Sequence, residues 1–419
     1  PPNLLAWVEK QKLVASDPDG SPEGDLFGGA VTMTSDGRVM AIGAIVDEEN
    51  DGANAGAVYI FESGSSGYQQ VQKLTASFGT DGLPEVSPQG DYFGYSVTLS
   101  ATGETLAVGA VADEENNGAD AGAVYIFESG SSGYQQVQKL TASFGTDGLP
   151  EVSPQGDYFG YSVTLSATGE TLAVGAVADE ENNGADAGSV YIFASGSGGY
   201  QQTQKLTASF GTDGLPEVSP QGDNFGFSIT LSSTGETLAV GAVRDEENNG
   251  ADAGSVYIFA SGSGGYQQVQ KLTASFGTDG LPEVSPQGDW FGTSVAFSST
   301  GETLAVGARL DEENNGASAG SVYIFESGSG GYQQVQKLTA SFGTDGLPEV
   351  SPQGDRFGYA VALSATGETL AVAAYTDEEN NGASAGAVYI FESGSGGYQQ
   401  VQKLTASFGT DGLPEVSPQ

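Results

Sequence analysis

The dipeptide Phe-Gly recurs at Phe27, Phe93, Phe159, Phe225, Phe291 and Phe357, and the spacing is 66 residues every time. A fixed period of that length means tandem copies of one supersecondary unit, each burying its apolar faces against its neighbours. Length alone, at 419 residues, suggests two or three ordinary domains; the repeat overrides that prior.

The second unit shows how one copy is built. "FGYSVTLS" (93–100) alternates apolar with small or polar residues, the period of a strand. "ATGE" (101–104) is a turn, and "TLAVGAV" (105–111) is a second strand whose Ala and Gly permit close backbone packing. After the acidic stretch comes "AVYIF" (123–127), apolar on both faces as in a strand covered on both sides. "ESGSSG" (128–133) reads as a turn, "YQQVQKLTAS" (134–143) as a fourth, more polar strand, and "FGTDGLPEVSPQGDY" (144–158) as a long loop into the next Phe-Gly. No segment has a helical period. The expected fold is all-β: a six-bladed β-propeller of four-stranded antiparallel blades with 66-residue repeats. A linear solenoid is the competing architecture.

One propeller is expected over 1–419. Residues 1–23 are an extra outer strand and lead-in, because "AWVEKQKLVAS" (6–16) aligns with "GYQQVQKLTAS" (133–143) and places Trp7 at the Tyr position. Repeats begin near 25, 91, 157, 223, 289 and 355, and 402–419 hold the final outer strand and tail. Seven outer strands thus serve six inner sets. The extra one either packs on an edge or pairs with the last blade of its own or a neighbouring chain. The first unit diverges as a cap would, with Met33, Arg38 and Met40; the last reads like the middle ones, as in a continuing array.

The run "FGYSVTLSATGETLAVGA…GAVYIF" resembles the FG-GAP repeat, the blade of integrin alpha-subunit propellers. It is closer still to FG-GAP repeats of bacterial and algal surface proteins with "TLAVGA" and "SGAVYVF" runs. The resemblance covers all six units. It implies a propeller and an extracellular or cell-surface place. Integrin blades that hold calcium do so between first and second strands. Here that loop is "SATGET", or "TSDGRV" at 34–39, which does not form the integrin site.

Net charge is −42, from 54 acidic and 12 basic residues. Nucleic acid and anionic lipid are excluded as partners, since both need Lys and Arg clusters. No apolar run approaches the ~18 residues of a spanning helix, so no membrane insertion is expected. Without Cys there is no disulfide or thiolate site, and without His the commonest general base is missing. Near-identical units offer the same carboxylates six times, whereas catalysis needs groups with unlike pKa values. The chain is expected not to be an enzyme.

The acidic stretch is "DEENNGADAG" at 113–122, with close copies in every unit. Side chains one, three and five, then Gly, approximate the opening of a calcium loop. The candidate ligands are Asp47, Glu49 and Asp51 in the first unit and Asp113, Glu115, Asn117 and Asp120 in the second. The third supplies Asp179, Glu181 and Asn183, and the fourth Asp245, Glu247 and Asn249. The last two supply Asp311, Glu313 and Asn315, then Asp377, Glu379 and Asn381. The Asp two places before each Phe (Asp25, Asp91, Asp157, Asp223, Asp289, Asp355) could join the same site. Against calcium, Glu at the third position is unusual and no bidentate Glu follows twelve places on. The alternative is a solvated Asn-Gly turn. Calcium is the one cofactor considered.

Antiparallel strands place the acidic and long loops on one face, and with them Asp91, Asp113, Glu114, Glu115, Asp120, Asp147 and Glu151. The few differences between units fall on that face too. Before Phe-Gly stand Leu26, Tyr92, Tyr158, Asn224, Trp290 and Arg356; after it, Gly29, Tyr95, Tyr161, Phe227, Thr293 and Tyr359. After the second strand, Arg244 and Arg309 appear. Tyr92, Tyr158, Trp290, Arg356, Arg244 and Arg309 are of types that carry binding energy and are the candidate ligand contacts. Two functions are expected. One is an extracellular structural or adhesive propeller, a bead of a filament or surface assembly whose partners are copies of itself. The other is a glycan- or protein-binding module using the loop-rich acidic face, with or without calcium.

Overall fold

The computed structural model describes residues 7–15, 25–48, 53–78, 89–114, 118–145, 148–149, 155–180, 184–211, 214, 221–246, 250–277, 280, 287–312, 316–342, 353–377 and 385–406. Twenty-four strands form six four-stranded antiparallel sheets, each paired in chain order: the blades of a β-propeller. Blade 1 holds β1 (Phe27–Met33), β2 (Val39–Ala44), β3 (Ala57–Gly64) and β4 (Gly67–Leu74). Blade 2 holds β5 (Phe93–Leu99), β6 (Thr105–Ala110), β7 (Ala123–Gly130) and β8 (Gly133–Leu140). Blade 3 holds β9 (Phe159–Leu165), β10 (Thr171–Ala176), β11 (Ser189–Gly196) and β12 (Gly199–Leu206). Blade 4 holds β13 (Phe225–Leu231), β14 (Thr237–Ala242), β15 (Ser255–Gly262) and β16 (Gly265–Leu272). Blade 5 holds β17 (Phe291–Phe297), β18 (Thr303–Ala308), β19 (Ser321–Gly328) and β20 (Gly331–Leu338). Blade 6 holds β21 (Phe357–Leu363), β22 (Thr369–Ala374), β23 (Ala387–Gly394) and β24 (Gly397–Leu404). Among the described residues no helix is long and apolar enough to cross a membrane.

The third and fourth strands run closer to each other than the sequence indicates. "ESGSSG" is not all turn: β7 continues to Gly130, β8 starts at Gly133, and Gly130 pairs Gly133. Gly133 takes φ +89, which lets a two-residue connection close the hairpin.

The core lies between blades. Ala41, Val58, Ile60 and Leu74 of blade 1 pack on Phe93, Leu106, Val108, Tyr125, Phe127 and Tyr134 of blade 2, and the same set recurs at later junctions. A fully buried Leu, Phe or Ile of this set contributes about 1.5–3 kcal/mol. The first strands pack in succession, β1 on β5, β5 on β9, β9 on β13, β13 on β17 and β17 on β21.

The polar outer strand is a set of connectors. In blade 2 the Tyr134 hydroxyl donates to the Gly103 carbonyl at 2.6 Å, across the blade's first turn. Gln136 reaches back, accepting from Ser77 N and donating to Phe78 O, both at 2.7 Å. Gln138 reaches forward to Tyr200, donating to its carbonyl at 2.9 Å and accepting from its N–H at 2.8 Å. This forward clasp joins β4 to β8, β8 to β12, β12 to β16, β16 to β20 and β20 to β24.

Residues 7–15 of the N-terminal segment form no strand, in contrast to the outer strand expected there, but they hold two clasps of the kind fourth strands make. Gln402 of β24 clasps Trp7, donating to its carbonyl at 2.6 Å and accepting from its N–H at 2.7 Å. Gln11 clasps Tyr68 of β4 in turn, at 2.7 and 2.8 Å. The segment therefore lies between the last and first blades of its own chain.

Candidate functional site

Each first strand opens with a bulge. Phe93 pairs Ala110 but Ser96 pairs Gly109, so Gly94 and Tyr95 fall outside the ladder. Bulges re-aim side chains. Here they send a row of rings from blade to blade: Tyr95 meets Tyr161 at 5.0 Å, and Tyr161 meets Phe227 at 5.1 Å between centroids. Phe227 then meets the Trp290 ring edge-on at 6.4 Å.

The residue before each Phe is held in the left-handed region. Leu26, Tyr92, Tyr158, Asn224, Trp290 and Arg356 have φ between 53° and 57°. Of these only Asn enters that region readily; for the others it costs roughly 1–3 kcal/mol each. Backbone bonds on both sides impose it: Tyr92 N donates to Asn54 O of the preceding blade, and Tyr95 N donates to Tyr92 O, each at 3.1 Å. Large side chains are thus presented from a strained turn.

Five of the six candidate ligand residues come together. Tyr92, Tyr158, Trp290, Arg244 and Arg309 line one cavity of about 670 Å³, with Tyr95, Tyr161 and Phe227. The Arg309 guanidinium lies 4.5 Å from the Trp290 ring and 5.5 Å from that of Tyr359; Arg244 lies 5.5 Å from Trp290 on its own account. Burial lowers the Arg309 pKa from its usual value, while the neighbouring Tyr359 and Tyr161 oppose that shift. Arg356, the sixth candidate, is exposed and does not line the cavity; its charge acts on Arg309. The sequence marks Tyr95, Tyr161 and Phe227 as variable, but their continuity as a row depends on the bulge.

The acidic loops have a different use. Asp113 is wholly buried, accepts a 2.6 Å hydrogen bond from Tyr125 and pairs with the Lys139 ammonium at 2.8 Å. The ammonium also lies 5.1 Å from the Tyr125 ring centroid. Every blade repeats the trio, with Asp47, Asp179, Asp245, Asp311 and Asp377 as its carboxylates. The signal for it was present: Tyr125 and Lys139 are cross-strand partners in "VYIF" and "QKL", and an Asp precedes each such Tyr by twelve positions.

The first loop position is thus committed to the blade, with a cation already beside it. Asp120 is exposed at φ 54°, in a turn whose carbonyl accepts Tyr158 N at 3.1 Å, the entry to the next blade. The remaining candidates (Glu49, Asp51, Glu115, Asn117, Glu181, Asn183, Glu247, Asn249, Glu313, Asn315, Glu379 and Asn381) lie outside the described residues. Among the described residues no group of three acidic side chains is disposed to hold a metal ion. The charge expected on this face is also redistributed. Asp91 and Asp113 are buried, Glu114 and Asp120 are exposed, and Asp147 and Glu151 lie outside the described residues.

Asp289 is 2% exposed, and neither carboxylate oxygen has a hydrogen-bond partner among the described residues. Burial first, then the neighbouring Asp311 and Glu312 charges, push its pKa up to about 8, against the opposing pull of Lys337. The folded state therefore keeps a proton between about pH 4 and 8 that the unfolded chain has released, and stability falls as pH rises through that window. Asp289→Asn is expected to raise the melting temperature at pH 8 and leave it unchanged near pH 4. Equal shifts at both pH values in thermal unfolding would contradict this.

A model of the FG-GAP repeat family matches the chain six times, over residues 7–61, 68–127, 134–193, 200–259, 266–325 and 332–391. Among solved structures, the chain is similar to the periplasmic gluconolactonase PpgL of Pseudomonas aeruginosa. The identity is 17%, the TM-score 0.51, and the match covers 90% of this chain and 85% of that one. It is similar also to a functionally unknown protein from Desulfotomaculum acetoxidans, at 12% identity and a TM-score of 0.51, covering 91% and 86% of the two chains. At such identities the likeness shows the fold alone. No curated protein matches the chain.

Proposed function

Since the chain belongs to the FG-GAP repeat family, whose propeller serves as a binding or structural module, we propose that it is a glycan-binding module with its site in the aromatic cavity. One observation carries this reading. Blades that are otherwise near-copies differ where Tyr92, Tyr158, Trp290, Arg244 and Arg309 surround that cavity, and three of these residues are held in strained backbone. Pyranose faces stack on Tyr and Trp, and the two guanidiniums supply donors for hydroxyl or carboxylate oxygens. The net charge of −42 repels long polyanions, so a neutral or singly acidic sugar end fits better than a sulfated chain. The lining offers one carboxylate, Asp186, where glycoside hydrolysis takes a pair, so the reading is recognition rather than catalysis. We place the module outside the cell or on its surface, as the family resemblance implies.

Glycan-array screening followed by calorimetry tests it. Trp290→Ala is expected to weaken the best ligand about 10–100-fold, as for a central aromatic anchor, with little change in melting temperature. Undiminished binding by both Trp290→Ala and Arg309→Ala would place the site elsewhere. A structural or adhesive role, favoured by the uniformity of the blades, predicts instead no saturable glycan and visible assemblies by electron microscopy.

A further inference from the structure

The outer rim counts seven places and the inner rings six. Forward clasps run β4, β8, β12, β16, β20, β24, then residues 7–15, then β4 again: seven steps around the molecule for six whole blades. The inner strands agree. β1 to β21 pack in unbroken succession through five junctions, but no comparable packing joins β21 to β1. A seventh place therefore exists on the outer rim, held by residues 7–15 as an extended segment without strand pairing.

Both walls of that place are half-interfaces of a known kind. On blade 6, Ala371, Val388 and Leu404 are partly exposed, whereas their counterparts on blade 5, Ala305, Val322 and Leu338, are buried beneath blade 6. Val388 and Leu404 border a cavity of about 690 Å³ that also touches Ala373 and Tyr375. On blade 1, Phe27, Met40 and Tyr68 are only partly buried, and just Leu13 and Ala15 of the N-terminal segment stand against them. Elsewhere that side meets an Ala, a Val and an Ile from the preceding blade's second and third strands. Val31 and Met33 are 54% and 49% exposed.

We propose that this seventh place is a docking site for the three inner strands of one further FG-GAP unit, with residues 7–15 serving as its fourth strand. Its aromatic first and third strands would cover Ala371, Val388 and Leu404, and its Ala, Val and Ile would cover Phe27 and Met40. Continuity with five existing junctions names the occupant: the walls repeat the apolar set by which FG-GAP blades meet, though Ala360 gives up the Ser-to-carbonyl bond that blades 2 to 5 make to the next blade. Solvent is a poor alternative. Ala360 stands where blades 2 to 5 carry a Ser, and Ala362 where blades 2 to 4 carry a Thr, so this wall is more apolar than its counterparts. A cap facing water would change in the opposite sense. The last unit is thus divergent after all, at positions that meet a neighbour. Ala373 replaces the Gly that elsewhere lets the next Phe-Gly carbonyl approach; the incoming first strand must sit farther from β22 at its inner end.

The test extends the chain after Gln419 with a copy of residues 156–196, three inner strands with no Trp. A control copy carries Asp in place of the residues equivalent to Val190 and Ile192. Trp290→Phe in all versions leaves Trp7, which is 52% exposed, as the sole Trp reporter. With the true copy the melting temperature is expected to rise by several degrees and Trp7 emission to shift to the blue; with the control copy neither changes. Deleting residues 1–16 should cancel most of the gain. Identical behaviour of true and control copies overturns the proposal. So does an unextended chain that is a stable dimer by sedimentation, with β22 and residues 7–15 protected from hydrogen exchange, because the occupant is then a second copy.

Discussion

Lys205→Ala is expected to destabilise the propeller by about 3–5 kcal/mol, the cost of leaving a buried carboxylate without its cation. Asp179 and Lys205 have fully buried side chains with 2.8 Å between nitrogen and oxygen, and Tyr191 donates to the same carboxylate at 2.5 Å. After truncation the buried carboxylate keeps the Tyr191 phenol but loses its cation. The loop that Asp179 anchors also carries hydrogen bonds to the entry of blade 4, so part of the loss spreads to the next junction. The double change Asp179→Asn with Lys205→Met should recover most of the stability, because neither buried charge then remains. Lys73 supplies a built-in contrast. Its side chain is 24% exposed and its pair with Asp47 is longer, at 3.0 Å, so Lys73→Ala should cost clearly less. Thermal unfolding of the three variants decides the matter. Equal losses at Lys73 and Lys205 would mean that burial is not what makes the trio matter.

Gly175→Ala is expected to cost about 2–3 kcal/mol or more, through overpacking where two backbones meet. A Cβ at this position would lie 2.3 Å from the Gly226 carbonyl oxygen and 2.4 Å from Ser162 Oγ. Neither can retreat easily, since Ser162 Oγ donates to that carbonyl at 2.7 Å and so fixes the approach of the next blade. Gly43, Gly109, Gly241 and Gly307 face the same carbonyl at 2.1–2.3 Å. Blade 6 carries Ala373 there, with no following blade in contact. Ala373→Gly should therefore cost only the ordinary backbone entropy of about 0.5–1 kcal/mol. A Gly175→Ala protein as stable as its parent would show that neighbouring blades shift apart cheaply at this point.

Much of this was legible because duplication repeats every signal. The Phe-Gly period, the alternation in "FGYSVTLS" and the two-sided apolarity of "VYIF" specify strand, order and blade without reference to distant contacts. The first and second strands were placed closely, whereas the second hairpin came out tighter, since a turn of Ser and Gly has no side-chain pattern to mark its ends. The candidate site was half legible. Variable aromatic and Arg residues stand out against near-identical copies, and five of them do line one cavity. The role of Gln138 was not readable, because a polar residue on a polar strand looks solvated until the partner is known.

By itself the sequence determined the blade: period, strand polarity and the apolar set that each copy offers its neighbours are local properties of the chain. Only the tertiary structure decided where "DEENNGADAG" sends its first carboxylate, inward to Lys and Tyr, because a charge run reads the same whether solvated or buried. It alone decided that the rings after Phe-Gly form one row, since a bulge displaces register in a way that composition does not record. And it alone showed that the outer clasps take seven steps around six blades. The angle between neighbouring blades is set by how closely glycines and rings let backbones approach, and that sum closes only in three dimensions.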